Sequence, residues 1–235
     1  SDMSGPDFLS IPMNQVERIE IVRGGASVMY GDGAVGGVVN IITRKPEDPF
    51  SAQLSASGGS FNSYKSGFHI GTRRNRLALS MTGGYTDSRG YRDNGSLRKK
   101  DILASVKYDH SEILVVSLDV STLESRIGLP GPVGFEDMAD EDLRRRTGAP
   151  SDFSHTEDDR YHVKAHLKTP SGQLTVKAGY RERENTYIIG YTPLLTEAEQ
   201  LDAITEDAAT LNLTFERTFE ALGVHNSLIL GLDSY

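Results

Sequence analysis

Apolar and polar residues alternate strictly along much of the chain. Residues 161–168 read Tyr-His-Val-Lys-Ala-His-Leu-Lys, so Tyr161, Val163, Ala165 and Leu167 share one face of a strand while His162, Lys164, His166 and Lys168 share the other. The same period of two places Leu174, Val176, Ala178 and Tyr180 opposite Thr175, Lys177, Gly179 and Arg181, and Leu211, Leu213 and Phe215 opposite Thr210, Asn212, Thr214 and Glu216. It recurs through Leu77–Tyr85, Ile102–Tyr108 and Leu114–Val120, and more weakly through residues 50–57 and 64–72. The last alternation, Leu228, Leu230 and Leu232, runs almost to Tyr235. About nine strands are therefore expected over residues 50–235, each roughly ten residues long.

The connections between them fall into two sets. Arg73–Asn75, Asp109–Ser111 and Thr169–Gly172 are tight turns, whereas Thr86–Leu97, Glu124–Asp158 and Asn185–Asp207 read as long polar loops. Short turns on one rim and long loops on the other, with apolar/polar dyads between them, are the pattern of a transmembrane β-barrel. A soluble β-sandwich also alternates. It is disfavoured by a polar face carrying His162, Lys164, His166 and Lys168, which suits a watered lumen, and by tyrosines near the ends of the apolar face.

Composition narrows the classes. Twenty-five Lys and Arg against 33 Asp and Glu give a net charge of −8, which argues against a nucleic-acid partner. There is no cysteine, hence no disulfide framework, thiolate metal site or Cys nucleophile. No stretch approaches the apolar length of a transmembrane helix, a test that barrel strands escape because only half of their residues are apolar. No nucleophile–base set, paired-carboxylate site or cofactor fingerprint stands out, so an enzyme is not expected.

The first forty-five residues differ from the rest. Val16–Val22 is a short charged strand whose alternation slips by one residue, followed by Gly24-Gly25, Gly31-Asp32-Gly33 and Gly36-Gly37 and then by the β-branched run Val38–Thr43. Glycines at this density permit positive φ and close backbone approach, as turns packed against a wall require. A phosphate loop would need a Gly-Lys-Ser/Thr ending and a helix at the glycines, and neither is present.

The segment IPMNQVERIEIVRGGASVMYGDGAVGGVVNIITRKP closely resembles the end of the plug domain of TonB-dependent outer-membrane receptors, matching at Val16-Glu17-Arg18-Ile19-Glu20, Arg23-Gly24, Tyr30-Gly31, Gly33-Ala34, Gly36-Gly37 and Asn40-Ile41-Ile42-Thr43. Gly25 stands where that family commonly has proline. The resemblance implies an all-β fold with an α+β plug: residues 1–46 as the last part of the plug, and residues 47–235 as the first part of an antiparallel wall. Plugged transporters of this kind have 22 strands. A complete wall at this spacing needs roughly 450 residues, so the chain is expected to be an excerpt. An open wall leaves two unpaired edges and is not expected to insert alone.

What the resemblance implies for function is an energy-coupled receptor in the outer membrane of a Gram-negative bacterium. It would take up a scarce nutrient, a ferric siderophore or cobalamin. Its partners would be membrane lipid, that ligand, and the TonB complex, reached through a segment expected outside these residues. Glu17, Arg18, Glu20 and Arg23 resemble the plug charges that pair with the wall, and Gly24, Gly31, Gly33, Gly36 and Gly37 the plug turns. The alternatives are a passive or structural barrel, disfavoured by the glycine-rich insert, and a secreted β-domain.

One loop carries candidate chemistry of its own. Glu136, Asp137, Asp140, Glu141 and Asp142 offer carboxylates to Ca²⁺, although their spacing fits no EF-hand, and Arg144, Arg145 and Arg146 offer guanidiniums to an anionic ligand. The competing expectation is a short helix over 135–146 whose charges solvate it. His155, His162 and His166 suggest metal by type. However, positions i and i+4 on a strand lie about 13 Å apart, so a lumen-facing polar role is expected, with no resident cofactor.

Overall fold

The computed structural model describes residues 16–24, 37–43, 49–191, 198–221 and 224–234. Two sheets account for nearly all of them. β1 (Val16–Arg23) and β2 (Gly37–Thr43) pair antiparallel, with a register irregularity between Val16 and Arg18 where the alternation slips. Gly37 sits at φ 147°, and a Cβ there would lie 2.6 Å from the Val22 carbonyl oxygen, so only glycine fits this crossing. The turns at Gly31, Gly33 and Gly36 lie outside the described residues.

The second sheet has nine strands in consecutive order, every neighbouring pair antiparallel. They are β3 (Phe50–Gly59), β4 (Ser63–Arg74), β5 (Leu77–Ser88), β6 (Leu97–Asp109), β7 (Leu114–Gly128), β8 (Phe153–Thr169), β9 (Gly172–Tyr191), β10 (Ala198–Ala221) and β11 (Val224–Ser234). The expected tight turns appear between β4 and β5, β6 and β7, and β8 and β9. Two connections differ from expectation. The β3–β4 turn on the loop rim is also short, and β9 and β10 pair from Tyr191↔Ala198 onward, through residues read from sequence as loop. The dyad pattern stops there while the hydrogen-bond ladder continues, because alternation records a difference between two solvents. Where water lies on both faces, a strand needs no apolar side.

Burial in this sheet is inverted relative to a soluble sandwich. Among the described non-glycine strand residues of the wall, the buried ones are His69, Thr82, Asp101, Ser125, Thr156 and Asp158, with Ala78 and Leu123. By strand parity all eight project from one face. The opposite face is apolar and exposed: Leu79, Met81, Ile102, Val106, Leu118, Tyr161, Val163, Tyr180 and Leu211 each keep about two fifths of their surface open, Leu118 being 42% and Val163 45% exposed. Exposed aliphatic side chains in a continuous band, backed by a more polar face, mark a surface that meets another protein or a membrane.

The register shows how that band lies. The row through Phe50 runs by Thr72, Leu79, Val106, Leu118, Val163, Ala178 and Leu211 to Ser234. Phe50 is the turn-side edge of the band on β3, yet on β11 that edge is Leu228. The band has slid by roughly six residues, or about 20 Å, over eight strand spacings of about 4.8 Å. A level band thus crosses strands inclined by roughly 30°, approaching the 35–45° tilt of closed barrels.

Candidate functional site

β2 flanks the polar face. Ile41 and Ile42 of β2 form one side of a cavity of about 560 Å³ whose other side includes Arg73, Ser80, Lys107, Ser117, Lys164 and His166. This is the face expected to line a lumen. His162 and His166 project into it, and His166 Nδ1 lies 3.0 Å from Thr175 Oγ1. His155 does not: its parity is that of Tyr161, which puts it on the opposite face, 3.2 Å from Glu157.

Glu17, Arg18 and Glu20 of β1 find partners within their own sheet. Arg18 donates to Glu20 at 2.8 Å and to Glu17 at 2.9 Å, and Asn40 on β2 donates to Glu20 at 3.2 Å. The hydrogen bond from Arg18 holds the Glu20 carboxyl below its usual range. Arg23 ends the strand opposite Gly37, and Gly24 follows with φ 96°.

Sequence reasoning missed the most buried charge, having placed Asp158 at a loop end. Asp158 lies on β8 with 2% of its surface exposed. Its Oδ1 accepts from Arg160 Nε at 2.8 Å and Arg181 Nε at 3.1 Å, and its Oδ2 from both Nη2 atoms at 2.7 Å. Arg160 and Arg181 are directly paired across β8 and β9, so their like charges are reconciled only by the carboxylate between them. The opposite-face neighbours Glu157, Asp159 and Glu182 are charged, so this level lies beyond the hydrocarbon. Burial raises the Asp158 carboxyl, but the two guanidiniums outweigh it and hold it down to about 2. A usable signal was present, since residues 158, 160, 162 and 164 continue one parity.

On the loop rim, residues 89–96 and 129–152 are tied together. Arg92 donates to the carbonyls of Gly131, Pro130 and Arg146. Asn94 is at φ 54°, a left-handed conformation asparagine tolerates, and its Nδ2 contacts the carbonyls of Leu129, Ala149 and Asp152 at 3.3, 2.6 and 2.8 Å. Asp152 Oδ1 in turn accepts from Gly190 N at 2.8 Å. In the full-length protein, Asn94→Ala leaves these carbonyls short of a donor and should weaken the clamp by about 1–3 kcal/mol. Protease nicking within residues 129–152 should rise roughly tenfold, and unchanged nicking would contradict the clamp.

Beside the clamp is a hollow of about 530 Å³ lined by Phe61, Asn62, Arg89, Tyr91, Arg92 and Arg145. Phe61 and Tyr91 meet edge to face at 5.7 Å, and the Arg145 guanidinium lies 5.7 Å from the Tyr91 ring centre. The acidic residues of the loop do something else. Glu136–Ala139 is a turn of 3-10 helix and α1 (Glu141–Arg145) a short helix, capped by Asp140, whose Oδ1 accepts from Asp142 N and Leu143 N. Among the described residues no group of three His, Asp or Glu side chains converges to hold a metal ion. The structure brings Arg145 to the hollow with Arg89 and Arg92. It leaves Glu136, Asp140, Glu141 and Asp142 exposed, and Arg144 on α1 away from the hollow's lining.

Known proteins share these features. The family model for the TonB-dependent receptor plug domain matches residues 1–38. The metal-pseudopaline receptor CntO of Pseudomonas aeruginosa is 34% identical over 123 residues, covering 50% of this chain and 17% of that protein. The vitamin B12 transporter BtuB of Photobacterium profundum is 42% identical over 65 residues, covering 28% and 11%. The crystal structure of the unliganded ferric citrate transporter FecA superposes with a TM-score of 0.79 at 17% identity, covering 93% of this chain and 34% of that one. The alignments thus span well under two thirds of each relative. Residues 1–38 thus match the plug domain of TonB-dependent receptors, and the nine-stranded wall shares the fold of the corresponding part of FecA.

Proposed function

We propose that this chain is part of an energy-coupled outer-membrane receptor that binds a scarce nutrient at its loop rim and admits it past the plug. The carrying observation is the inverted burial: aliphatic side chains exposed on one face, and on the other a polar face that holds buried His69, Thr82, Asp101 and Asp158 and shares a cavity with Ile41 and Ile42 of β2. In this reading residues 1–46 belong to the plug and 47–235 to the wall. TonB engages a segment outside these residues, and force transmitted through the plug opens a path. The short ion pairs of Arg18 suit such an element, because exposed pairs of this kind are individually weak and yield one at a time.

The rim hollow favours an anionic metal chelate as cargo. Arg89 and Arg145 supply positive charge beside the rings of Phe61 and Tyr91, the combination that suits a charged, planar ligand. Growth of a deletion strain carrying the full-length receptor on defined ferric chelates, and separately on cobalamin, tests the reading. Growth on a ferric chelate that is lost when the proton gradient is collapsed supports it, and uptake unaffected by that treatment contradicts it. A charge reversal tests the plug. Arg18→Glu sets three carboxylates together on β1 and should lower uptake or raise permeability to large antibiotics severalfold. Unchanged uptake together with unchanged permeability removes the role given to Arg18.

A further inference from the structure

The apolar face of the wall is not uniformly smooth. Across β3–β6 it carries a trough of about 730 Å³, and the side chains of Leu54, Ala56, Ser66, Phe68, Tyr85, Lys100 and Ile102 in its lining point outward, away from the plug-facing side. Small residues make its floor: Ala56, Ser66 and Gly83 lie on adjacent strands. The Phe68 ring crosses Gly83 so closely that a Cβ there would stand 2.3 Å from it, so the floor exists only with glycine. Leu54 and Ile102 wall the trough toward the middle of the apolar band, and Tyr85 and Lys100 close its loop-side end.

The charges beyond that end are distributed unevenly. On β5–β7 the outward side chains are Arg98, Lys100 and Arg126, with Asp87 and Glu124 as partners: Arg98 meets Asp87 at 2.9 Å and Lys100 meets Glu124 at 3.0 Å. The Arg98 and Lys100 side chains remain 63% and 55% exposed. On β8–β10 the outward carboxylates at the same level are Glu157, Asp159, Glu182, Glu184 and Asp207, and the arginines there, Arg160, Arg181 and Arg183, point inward. An anionic head group above the apolar band is therefore drawn to β5–β7 and repelled from β8–β10. The trough lies directly beneath the attractive side.

We infer that this trough seats an acyl chain of lipid A, the phosphorylated, multiply acylated lipid of the outer leaflet, with a phosphate held at Lys100 and Arg98. The inference rests on the outer-membrane reading above, since the trough opens at the loop end of the wall. A flexible chain fits a shallow apolar trough of this size, and a phosphate placed between two exposed cations gains charge-assisted hydrogen bonds without displacing their carboxylate partners.

Native mass spectrometry of the detergent-extracted full-length receptor tests this, with hexa-acylated lipid A added and, separately, phosphatidylglycerol. The lipid A-bound fraction should fall at least fivefold in Ser66→Phe, which fills the trough, and in Lys100→Glu, which reverses the phosphate site. It should be unchanged in Ala178→Phe, on the same apolar face of β9. Lys100 is exposed, so its variant folds even if Ser66→Phe does not. Equal retention by Lys100→Glu, an equal loss in Ala178→Phe, or displacement of lipid A by phosphatidylglycerol at equal concentration would overturn the proposal. Failure of the transport reading shows instead as absent uptake by the wild-type receptor.

Discussion

Replacing Val163 by arginine in the full-length receptor is expected to cost about 2–4 kcal/mol of folding stability in a bilayer, while His162→Arg one residue away costs little. The two positions share a strand, a backbone environment and a new charge, and differ only in the face they occupy. Val163 is flanked in its row by Leu118 and Ala178, in the middle of the exposed apolar band. A guanidinium there must reach the interface or carry water into hydrocarbon. His162 lies beside Asp119 on the plug-facing side, where water and a carboxylate accept the charge. Denaturant titration of the receptor in lipid vesicles measures both. Equal costs for the two substitutions would mean that the faces are not distinguished by solvent.

The second large effect is expected at Asp158. Truncation to alanine removes the acceptor of four charge-assisted hydrogen bonds and leaves Arg160 and Arg181 facing each other across β8 and β9. Breaking a buried pair by deleting one partner typically costs about 3–5 kcal/mol, most of it from the uncompensated charge left behind. Removing one arginine as well should recover part of the loss: the double variant Asp158→Ala, Arg160→Met is expected to be more stable than Asp158→Ala alone. Additive losses in this cycle, read from the unfolding midpoint, would show that the three charges are not coupled.

About nine strands and the faces of the alternating segments were legible in the dyad pattern, because half of each such segment faces a medium unlike the other half, whereas His155, read as lumen-facing, takes the opposite face. Residues 161–168 are the clearest case, every second side chain being aliphatic or aromatic. The pattern failed where the contrast between media fades. Residues 185–191 and 198–207 continue as strand, yet their apolar side chains are split between faces, Ile188 and Leu201 on one and Ile189 and Ile204 on the other, and leave no single apolar face to detect. The plug's short strand was likewise legible down to its slipped residue near Glu17.

The candidate site was legible in kind more than in position. Arg145 was singled out by its charge, but its neighbours in the hollow, Arg89 and Tyr91, come from another loop over fifty residues earlier and carry no motif. Asp140 looked like a cation ligand and serves as a helix cap, because an aspartate preceding Glu141 and Asp142 has two backbone N–H groups within immediate reach. Asp158 was hidden by its neighbour Asp159. Two adjacent aspartates read as loop, although on a strand one of them points into the lumen and the other away from it.

The account depends on the apolar face meeting acyl chains, and the absence of cysteine from these residues makes that directly measurable. In the full-length receptor reconstituted in lipid, single cysteines placed along residues 160–168 and spin-labelled report collision with oxygen, which concentrates in hydrocarbon, and with a water-soluble nickel chelate. The account predicts a period of two, with oxygen collisions highest at 161, 163, 165 and 167 and nickel collisions higher at 160, 162, 164 and 166. Low accessibility to both reagents at the odd positions would place Tyr161, Val163, Ala165 and Leu167 in a dry protein interior and contradict it.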